Sequence, residues 1–313
     1  MKFTYYPGCS LKGTGRAYEE SLLPVLRELG VEWDELEDWN CCGATAYMAV
    51  DEVKSCVLAA RNMSIAERAG NPQIIAPCSA CYLVFNKAQH FIHDVPAIRD
   101  TVNKALKTAN MTYQGTLKVR HPLDVLVNDV GLDAIKKRVR KPLKGLKVAP
   151  YYGCQIVRPF ASFDDQYNPM AMDRLLDVLG ATVVRYPLKT RCCGGSLTGT
   201  LPEPGTLCSY IILREAIVRE ADVIATVCSL CQFNLDGYRD QARALHKRER
   251  GQITEPSARQ REDRVAANLG KIPVVFFTQL MGLAFGLSEE EIGLHRGFVP
   301  MKFLPAVSQA VPA

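Results

Sequence analysis

Several familiar signatures are missing from this 313-residue sequence. It contains no G-x-G-x-x-G dinucleotide-binding fingerprint, no C-x2-C-x2-C-x3-C-P run and no flavin-binding motif. Only five His residues occur, and they show neither matched placement nor metal-ligand spacing. We therefore do not expect the chain to bind a nicotinamide or flavin cofactor, and any electrons it used would have to come from other proteins.

Long hydrophobic runs are also missing. The longest apolar stretch covers residues 272–287 and is interrupted by Thr278 and Gln279, which makes it too short to span a bilayer comfortably. The first seven residues have no basic lead of the kind that opens a secretory signal. The sequence thus predicts a cytoplasmic protein with no membrane span.

Charge is close to balanced. The net charge of +5 is only a weak indication of an anionic partner or substrate, and a nucleic-acid ligand is not expected. The chain is twice the usual length of one domain, which predicts two domains.

Cysteine is the residue type that is abundant, with twelve in the chain. A chain of this size in the cytosol does not need disulfides, and its cysteines are more often metal ligands or redox groups. The second six repeat the order of the first six at offsets of 145 to 152 residues, at positions 9, 41, 42, 56, 78, 81 and then 154, 192, 193, 208, 228, 231.

Neighbouring residues repeat as well, so we interpret the chain as two tandem copies of one domain. Tyr6-Pro7-Gly8-Cys9 parallels Tyr152-Gly153-Cys154, and a Cys-Cys-Gly triplet and a Cys-Ser-x-Cys motif occur once in each copy. The predicted boundaries are 1–145 and 146–313. A basic stretch between the copies, from Lys136 to Lys147, is interpreted as a solvated linker, with a docking patch for an acidic partner as the alternative.

Both copies alternate strand-like and helix-like segments, which predicts an α/β fold: two tandem, pseudo-symmetric domains, each a small, mostly parallel sheet flanked by helices. The expected strands are 2–6, 31–36, 73–76, 147–151, 181–186 and 223–227. The expected helices are 15–30, 51–70, one from 79, 169–180, 204–221 and 229–247. Residues 247–264 are expected to form a loop or a frayed helix, with a partner-binding insertion as the alternative.

Five cysteines of each copy have the arrangement of metal ligands. The spacings are C-x31-CC-x35-C-x2-C and C-x37-CC-x34-C-x2-C, and the cysteines at 9, 78, 154 and 228 are each predicted to follow a strand and precede a helix. Ligands gather at that end of α/β sheets, and a helix N-terminus stabilises the thiolate that binds iron.

An iron–sulfur cluster is the favoured occupant of each site. Five thiolates exceed the four that a structural zinc ion takes, and adjacent cysteines can reach two irons more easily than they can chelate one ion. Zinc and a thiol–disulfide redox pair remain as alternatives. Cys56 and Cys208 lie among apolar residues of predicted helices and are interpreted as buried free cysteines rather than ligands.

The repeated Cys-Cys-Gly pattern resembles the cysteine-rich CCG domain of the B subunit of heterodisulfide reductase. The resemblance covers nearly the whole chain and includes residues 121–126 and 273–287. It implies two non-cubane [4Fe–4S] clusters, each bound by five cysteines. By position the ligands are Cys9, Cys41, Cys42, Cys78 and Cys81 in the first copy, and Cys154, Cys192, Cys193, Cys228 and Cys231 in the second.

In that family a disulfide is split between the two clusters, and each cluster supplies one electron. The resemblance therefore implies that the chain is the catalytic part of a larger oxidoreductase complex and acts on an anionic disulfide, or on thiols in reverse. Its implied partners are the other members of that complex, a ferredoxin-like C subunit and a flavin-bearing A subunit.

An electron relay is the alternative, since CCG domains also occur in complexes that oxidise succinate, lactate or glycolate. An open space between the clusters, lined with cationic groups, would favour disulfide chemistry. A closed space would favour the relay.

Overall fold

A computed structural model describes residues 1–44 and 46–301 of the protein, with only the backbone for residue 46. The elements of the first half, in chain order, are β1 Lys2–Tyr5, α1 Gly8–Leu11, α2 Arg16–Glu28, β2 Glu32–Glu35, α3 Ala46–Val50, α4 Glu52–Arg68, β3 Gln73–Ile75, α5 Ser79–Asp94, α6 Pro96–Thr108, β4 Lys118–Arg120, α7 Pro122–Asp124, a π-helical turn Val125–Gly131 and α8 Leu132–Arg138.

The second half follows a closely similar order. Its elements are β5 Lys147–Tyr151, α9 Ala171–Val178, β6 Thr182–Val183, α10 Leu197–Thr200, α11 Pro202–Val218, β7 Val223–Thr226, α12 Ser229–Gly237, α13 Arg239–Arg250, α14 Pro256–Asn268, β8 Val274–Phe276, α15 Phe277–Phe285 and a 3-10 turn Leu294–Arg296. Among the described residues, no helix combines the length and the apolar character needed to cross a membrane.

Each half is built on a four-stranded parallel sheet. The strand orders are β2-β1-β3-β4 and β6-β5-β7-β8, so β1 and β5 occupy equivalent central positions. All described pairings are parallel, and β7 is buried along its whole length. Helices must cover such a sheet on both faces. The predicted α/β class, with two tandem parallel sheets flanked by helices, is confirmed.

Two short strands were not expected from the sequence. β4 and β8 close the outer edge of each sheet and pair with β3 and β7. Each is only three residues long and is followed at once by a helix. A run this short has no alternating pattern to distinguish it from the helix that follows it.

The single helix expected over residues 229–247 is wrong, because the structure has two helices that break at Tyr238. The buried carboxylate of Asp236 accepts hydrogen bonds from the backbone N–H groups of Phe298 (2.7 Å) and Val299 (3.2 Å). The Arg239 guanidinium donates to the carbonyls of Leu269 and Ile272. These long-range bonds, and the low helix propensity of glycine at 237, account for the break.

Residues 247–264 are mostly helical, so the loop is wrong as one of the two forms expected there, a loop or a frayed helix. α13 continues to Arg250, and α14 starts at Pro256, a residue that suits the first turn of a helix. Val265 and Ala242 are buried in the second-half core, which explains why these polar helices form.

One apolar core contains residues of both halves, and a second core lies within the second half. The ring of Tyr18 in α2 stacks on Phe276 of β8, with centroids 4.5 Å apart. The hydroxyls of Ser21 and Thr278 form a buried hydrogen bond of 2.6 Å between α2 and α15. Helix α15 of the second half therefore packs on the first half. The domain boundary at 145/146 stays a prediction.

The basic linker is partly anchored to this shared core. The backbone N–H groups of Arg140 and Lys141 both donate to the Ala284 carbonyl. The Arg140 side chain also forms an ion pair with Glu28, at 3.0 Å. The linker thus has structural contacts in addition to the exposed charges predicted from its composition.

Candidate metal centre

The first five-cysteine set converges at the carboxyl end of the first sheet. Cys9 lies in α1 directly after β1, and Cys78 is the N-cap residue of α5 after β3. The sulfur atoms of Cys42 and Cys81 are 3.1 Å apart, and those of Cys9 and Cys41 are 3.9 Å apart. All five predicted residues are therefore brought together from three separate segments of the chain.

The second set repeats this arrangement. The sulfur atoms of Cys193 and Cys231 are 3.5 Å apart, and Cys228 is the N-cap residue of α12. Contact with Cys192 raises the pKa of Cys154, so these two thiols are neighbours as well. Cys154 differs from its prediction, because a turn follows it instead of a helix. The next helix is α9, and the Asp164 carboxylate accepts hydrogen bonds from the backbone N–H groups at its N-terminus.

Within each adjacent cysteine pair, the two sulfur atoms point to different partners. Cys41 contacts Cys9 on the exposed side, while Cys42 contacts Cys81 in the interior. Cys192 and Cys193 divide in the same way between Cys154 and Cys231. Adjacent cysteines that reach different partners in this way suit a ligand with several metal atoms better than a single tetrahedral ion.

Glycine makes room for the inner sulfur atoms. Gly8 and Gly153 have φ values of +67° and +71°, in the left-handed region. A Cβ atom at Gly8 would lie 3.1 Å from the Cys81 sulfur, and one at Gly153 would lie 3.0 Å from the Cys231 sulfur. The glycine before the first cysteine of each copy is therefore required by the space around the Cys-x2-Cys sulfur.

Backbone donors also face the second set. The N–H groups of Gly194 and Gly195 donate to the sulfur atoms of Cys192 and Cys193, each at 3.4 Å. Hydrogen bonds of this type stabilise negatively charged sulfur. The surroundings of the second set therefore suit thiolates, the form of cysteine that binds iron.

Contacts among the thiols distribute the protons unequally. In the first set, Cys42 has its pKa lowered by Cys41 and Cys81, and contacts with Cys228 and Cys81 lower the pKa of Cys78. In the second set, the neighbouring Cys154 thiol lowers the pKa of Cys192 to about 6. Each set thus contains at least one thiol that loses its proton more readily than a free cysteine. Among the described residues, no three His, Cys, Asp or Glu side chains are grouped as ligands of one metal ion.

The two sets meet at the boundary between the halves. Contact with the Cys228 thiol of the second half is the main cause of the low pKa of Cys78. Ser229 donates to the Cys78 sulfur at 3.6 Å, and Ser79 donates to the Val227 carbonyl at 3.4 Å. We call this region, comprising residues 78–79 and 228–229, the seam. The serine that both Cys-Ser-x-Cys motifs contain was the signal in the sequence for these contacts.

His121 supports the seam and was not predicted from its spacing. It is fully buried, and burial lowers its pKa to about 4, so the ring is neutral. The backbone N–H of Leu123 donates to Nδ1 at 3.1 Å, which leaves Nε2 to donate to the Pro77 carbonyl at 3.0 Å. His121 therefore holds the residue that precedes Cys78.

A cavity of about 180 Å³ opens at the second set. It reaches from Cys154 and Cys192 to Ser79 at the seam, and no Lys, Arg or His among the described residues lines it. Lys189 lies 5.7 Å from the ring of the lining residue Tyr152 but is paired with Asp173. The cavity is below the roughly 300–1,000 Å³ that is typical of small-molecule sites.

The cysteine of each copy that lies outside the five-cysteine set is in the helix before β3 or β7. Cys56 is buried in α4, where burial raises its pKa to about 11. Cys208 in α11 is half-buried. That neither residue is a ligand stays a prediction.

These features define a class of α/β proteins in which two cysteine-rich half-sites adjoin at the boundary between two repeats. The family model for the cysteine-rich domain CCG matches residues 3–86 and 148–236. The chain belongs to this family, as predicted from its motifs. The family and the twelve cysteines together indicate iron–sulfur clusters.

Three relatives show the range of the similarity. The membrane anchor subunit of the 8-methylmenaquinol:fumarate reductase of Wolinella succinogenes is 31% identical, with 95% of this chain and 97% of the relative covered. A protein of Archaeoglobus profundus, named as similar to the B subunit of heterodisulfide reductase, is 30% identical, with 93% of each chain covered. The B subunit of the ferredoxin/F(420)H(2)-dependent CoB-CoM heterodisulfide reductase of Methanosarcina acetivorans is 28% identical, with 95% of this chain and 94% of the relative covered.

A solved structure has the same fold. The crystal structure of a hypothetical protein from Helicobacter pylori matches with a TM-score of 0.72 and 12% identity. It covers 97% of this chain, which spans 53% of the length of that protein.

Proposed function

We propose that the chain binds two non-cubane [4Fe–4S] clusters and acts in the cytoplasm as the catalytic component of a heterodisulfide reductase-type complex, in the role of the B subunit. The observation that carries this proposal is the pair of five-cysteine sets that adjoin at Cys78 and Cys228. The proposed ligands are Cys9, Cys41, Cys42, Cys78 and Cys81 of the first set, and Cys154, Cys192, Cys193, Cys228 and Cys231 of the second.

The proposed reaction is the reduction of an anionic disulfide to two thiols, or the reverse. When bound, the two clusters supply one electron each, and the disulfide takes up two electrons and two protons as its S–S bond breaks. Ser229 and Ser79 hold the two half-sites in register, and His121 holds the residue that precedes Cys78. The cavity from Cys154 to Ser79 is the proposed access to the seam.

Electrons would reach the chain from partners, because the sequence lacks nucleotide-binding and ferredoxin motifs. The names of two relatives place them in ferredoxin-dependent CoB-CoM heterodisulfide reductases. The proposed partners, which the family resemblance implies, are a ferredoxin-like C subunit and a flavin-bearing A subunit.

A second candidate is an electron relay in a complex whose substrate site lies on another chain. Two observations favour it. One relative is named as the membrane anchor subunit of a fumarate reductase. In addition, the cavity at the second set is small and has no cationic lining among the described residues, which is closer to the closed space expected for a relay.

The first experiment measures iron and acid-labile sulfide in anaerobically purified protein. Two [4Fe–4S] clusters correspond to about eight of each per chain. Cys228→Ala should lower both values, and Cys56→Ala serves as the control that should leave them unchanged. Zinc in place of iron, in protein never exposed to air, would refute the cluster proposal.

The second experiment separates the two candidate functions. Iron-replete protein is supplied with reduced methyl viologen and the mixed disulfide of coenzymes M and B, and thiol release is followed. The cationic disulfide cystamine is the matched control. Thiol release from the anionic disulfide supports the catalytic proposal, whereas reducible clusters without thiol release from either disulfide support the relay.

A further inference from the structure

Tyr18 is a buried residue that packs between the two halves. It lies in α2 and is completely buried. Its ring stacks at an interplanar angle of 9° on Phe276 and meets Phe277 edge-on, with centroids 6.1 Å apart. Both partners belong to the second half, so the ring position depends on the packing of the two repeats.

The hydroxyl of Tyr18 has no hydrogen-bond partner among residues 1–44 and 46–301. Other fully buried tyrosines do have one: Tyr152 donates to Asp173, and Tyr186 donates to the Ile212 carbonyl. A buried hydroxyl without a partner destabilises a protein, and such a group needs an explanation. Packing does not supply it, because phenylalanine would fill the same space.

The surroundings of Tyr18 supply a candidate acceptor. One helical turn earlier, Gly15 packs so closely on the seam that a Cβ atom there would lie 2.6 Å from the Cβ of Ser229. Ser229 in turn donates to the Cys78 sulfur. Tyr18, whose hydroxyl has no partner among the described residues, therefore lies one helical turn from the point at which α2 packs on the seam.

We propose that the Tyr18 hydroxyl donates a hydrogen bond to an anionic sulfur atom held between Cys78 and Cys228. This inference rests on the proposed function, which places bound sulfur at the seam. The acceptor has two possible sources, a sulfur of the bound clusters or the thiolate of a substrate, and the test distinguishes them. Neither the cysteine spacing nor the family motifs single out Tyr18.

The test compares Tyr18→Phe with wild type and with Tyr186→Phe. Without clusters, Tyr18→Phe should melt at the same temperature as wild type or higher, since it removes an unpartnered hydroxyl. Tyr186→Phe should melt at a lower temperature, since it breaks a hydrogen bond to the Ile212 carbonyl, in which no cysteine takes part.

With clusters bound, the reduction potentials and the EPR spectra are the decisive readouts. If a cluster sulfur is the acceptor, Tyr18→Phe lowers a cluster potential without substrate, because the reduced, more negative form loses a donor. If a substrate thiolate is the acceptor, that potential is unchanged. The spectral change on adding coenzyme M then requires a several-fold higher concentration than in wild type. Tyr186→Phe should behave as wild type in both measurements.

The inference is overturned if iron-replete Tyr18→Phe matches wild type in potential, spectrum and coenzyme M titration. It is equally overturned if the cluster-free variant melts at a lower temperature, because the hydroxyl would then have a partner within the protein. Failure of the proposed function is detected separately, with the wild-type protein. The absence of bound iron refutes the clusters, and bound iron without disulfide turnover refutes only the catalytic role.

Discussion

The space that Gly153 leaves for the Cys231 sulfur leads to a quantitative prediction for Gly153→Ala. Its φ of +71° is one that a side chain disfavours by about 1–2 kcal/mol. The added Cβ would also lie 3.0 Å from the Cys231 sulfur, and α12 holds that residue in place. Overpacking of this kind costs about 1–3 kcal/mol. We therefore expect a loss of about 2–5 kcal/mol in the free energy of unfolding.

Gly145→Ala is the matched control. Gly145 has a φ of +82°, but no described atom lies within 4 Å of the position that its added Cβ would occupy. The variant should lose only the backbone part, about 1–2 kcal/mol. The difference between the two variants isolates the contact with the cysteine sulfur.

Two assays check this prediction on protein handled without oxygen. Chemical denaturation of the cluster-free protein gives the difference in stability, and iron content after reconstitution shows whether the displaced sulfur still binds metal. We expect Gly153→Ala to lose iron at the second set and Gly145→Ala to keep it. Equal losses of stability, with full iron in both variants, would refute the reasoning that this glycine makes room for a ligand.

Two further predictions concern buried polar contacts. Ser21→Ala should destabilise the protein by about 1–3 kcal/mol, because it leaves the Thr278 hydroxyl buried without its 2.6 Å partner across the two halves. The double variant Ser21→Ala/Thr278→Val should recover most of that loss, and urea denaturation curves that coincide for the single and double variants would contradict it. The second prediction concerns Glu262. Burial raises the pKa of its carboxyl group, but the ion pair with Arg214 lowers it by more, so the pKa lies below the ordinary 4.5. A lowered carboxyl pKa contributes stability above its ordinary value and loses it as the pH falls below that value. Glu262→Gln should therefore be less stable than wild type at pH 7, and the difference in stability should narrow as the pH falls below 4.5. A difference in urea midpoints that does not change with pH would count against the ion pair.

The repeat, the fold class and the candidate ligand cysteines could all be predicted from the sequence. Each of these depends on local information: the order of the cysteines, the alternation of strand and helix, and motifs such as Cys-Ser-x-Cys that occur in both copies. Most central strands and long helices were predicted to within a few residues, since their apolar patterns extend over enough residues to be distinctive. The edge strands β4 and β8 are too short to carry such a pattern.

The way in which the two copies meet is set by long-range packing. Residues that are far apart in the chain are joined by the contact between Cys78 and Cys228, the stacking of Tyr18 on Phe276 and the hydrogen bond from His121 to Pro77. The spacing of the cysteines predicts which residues can lie together at one sheet edge, because parallel strands bring their carboxyl ends together. It does not state how two such edges are oriented toward each other, because that orientation depends on the packing of α2 against β8 and α15, which no local pattern encodes.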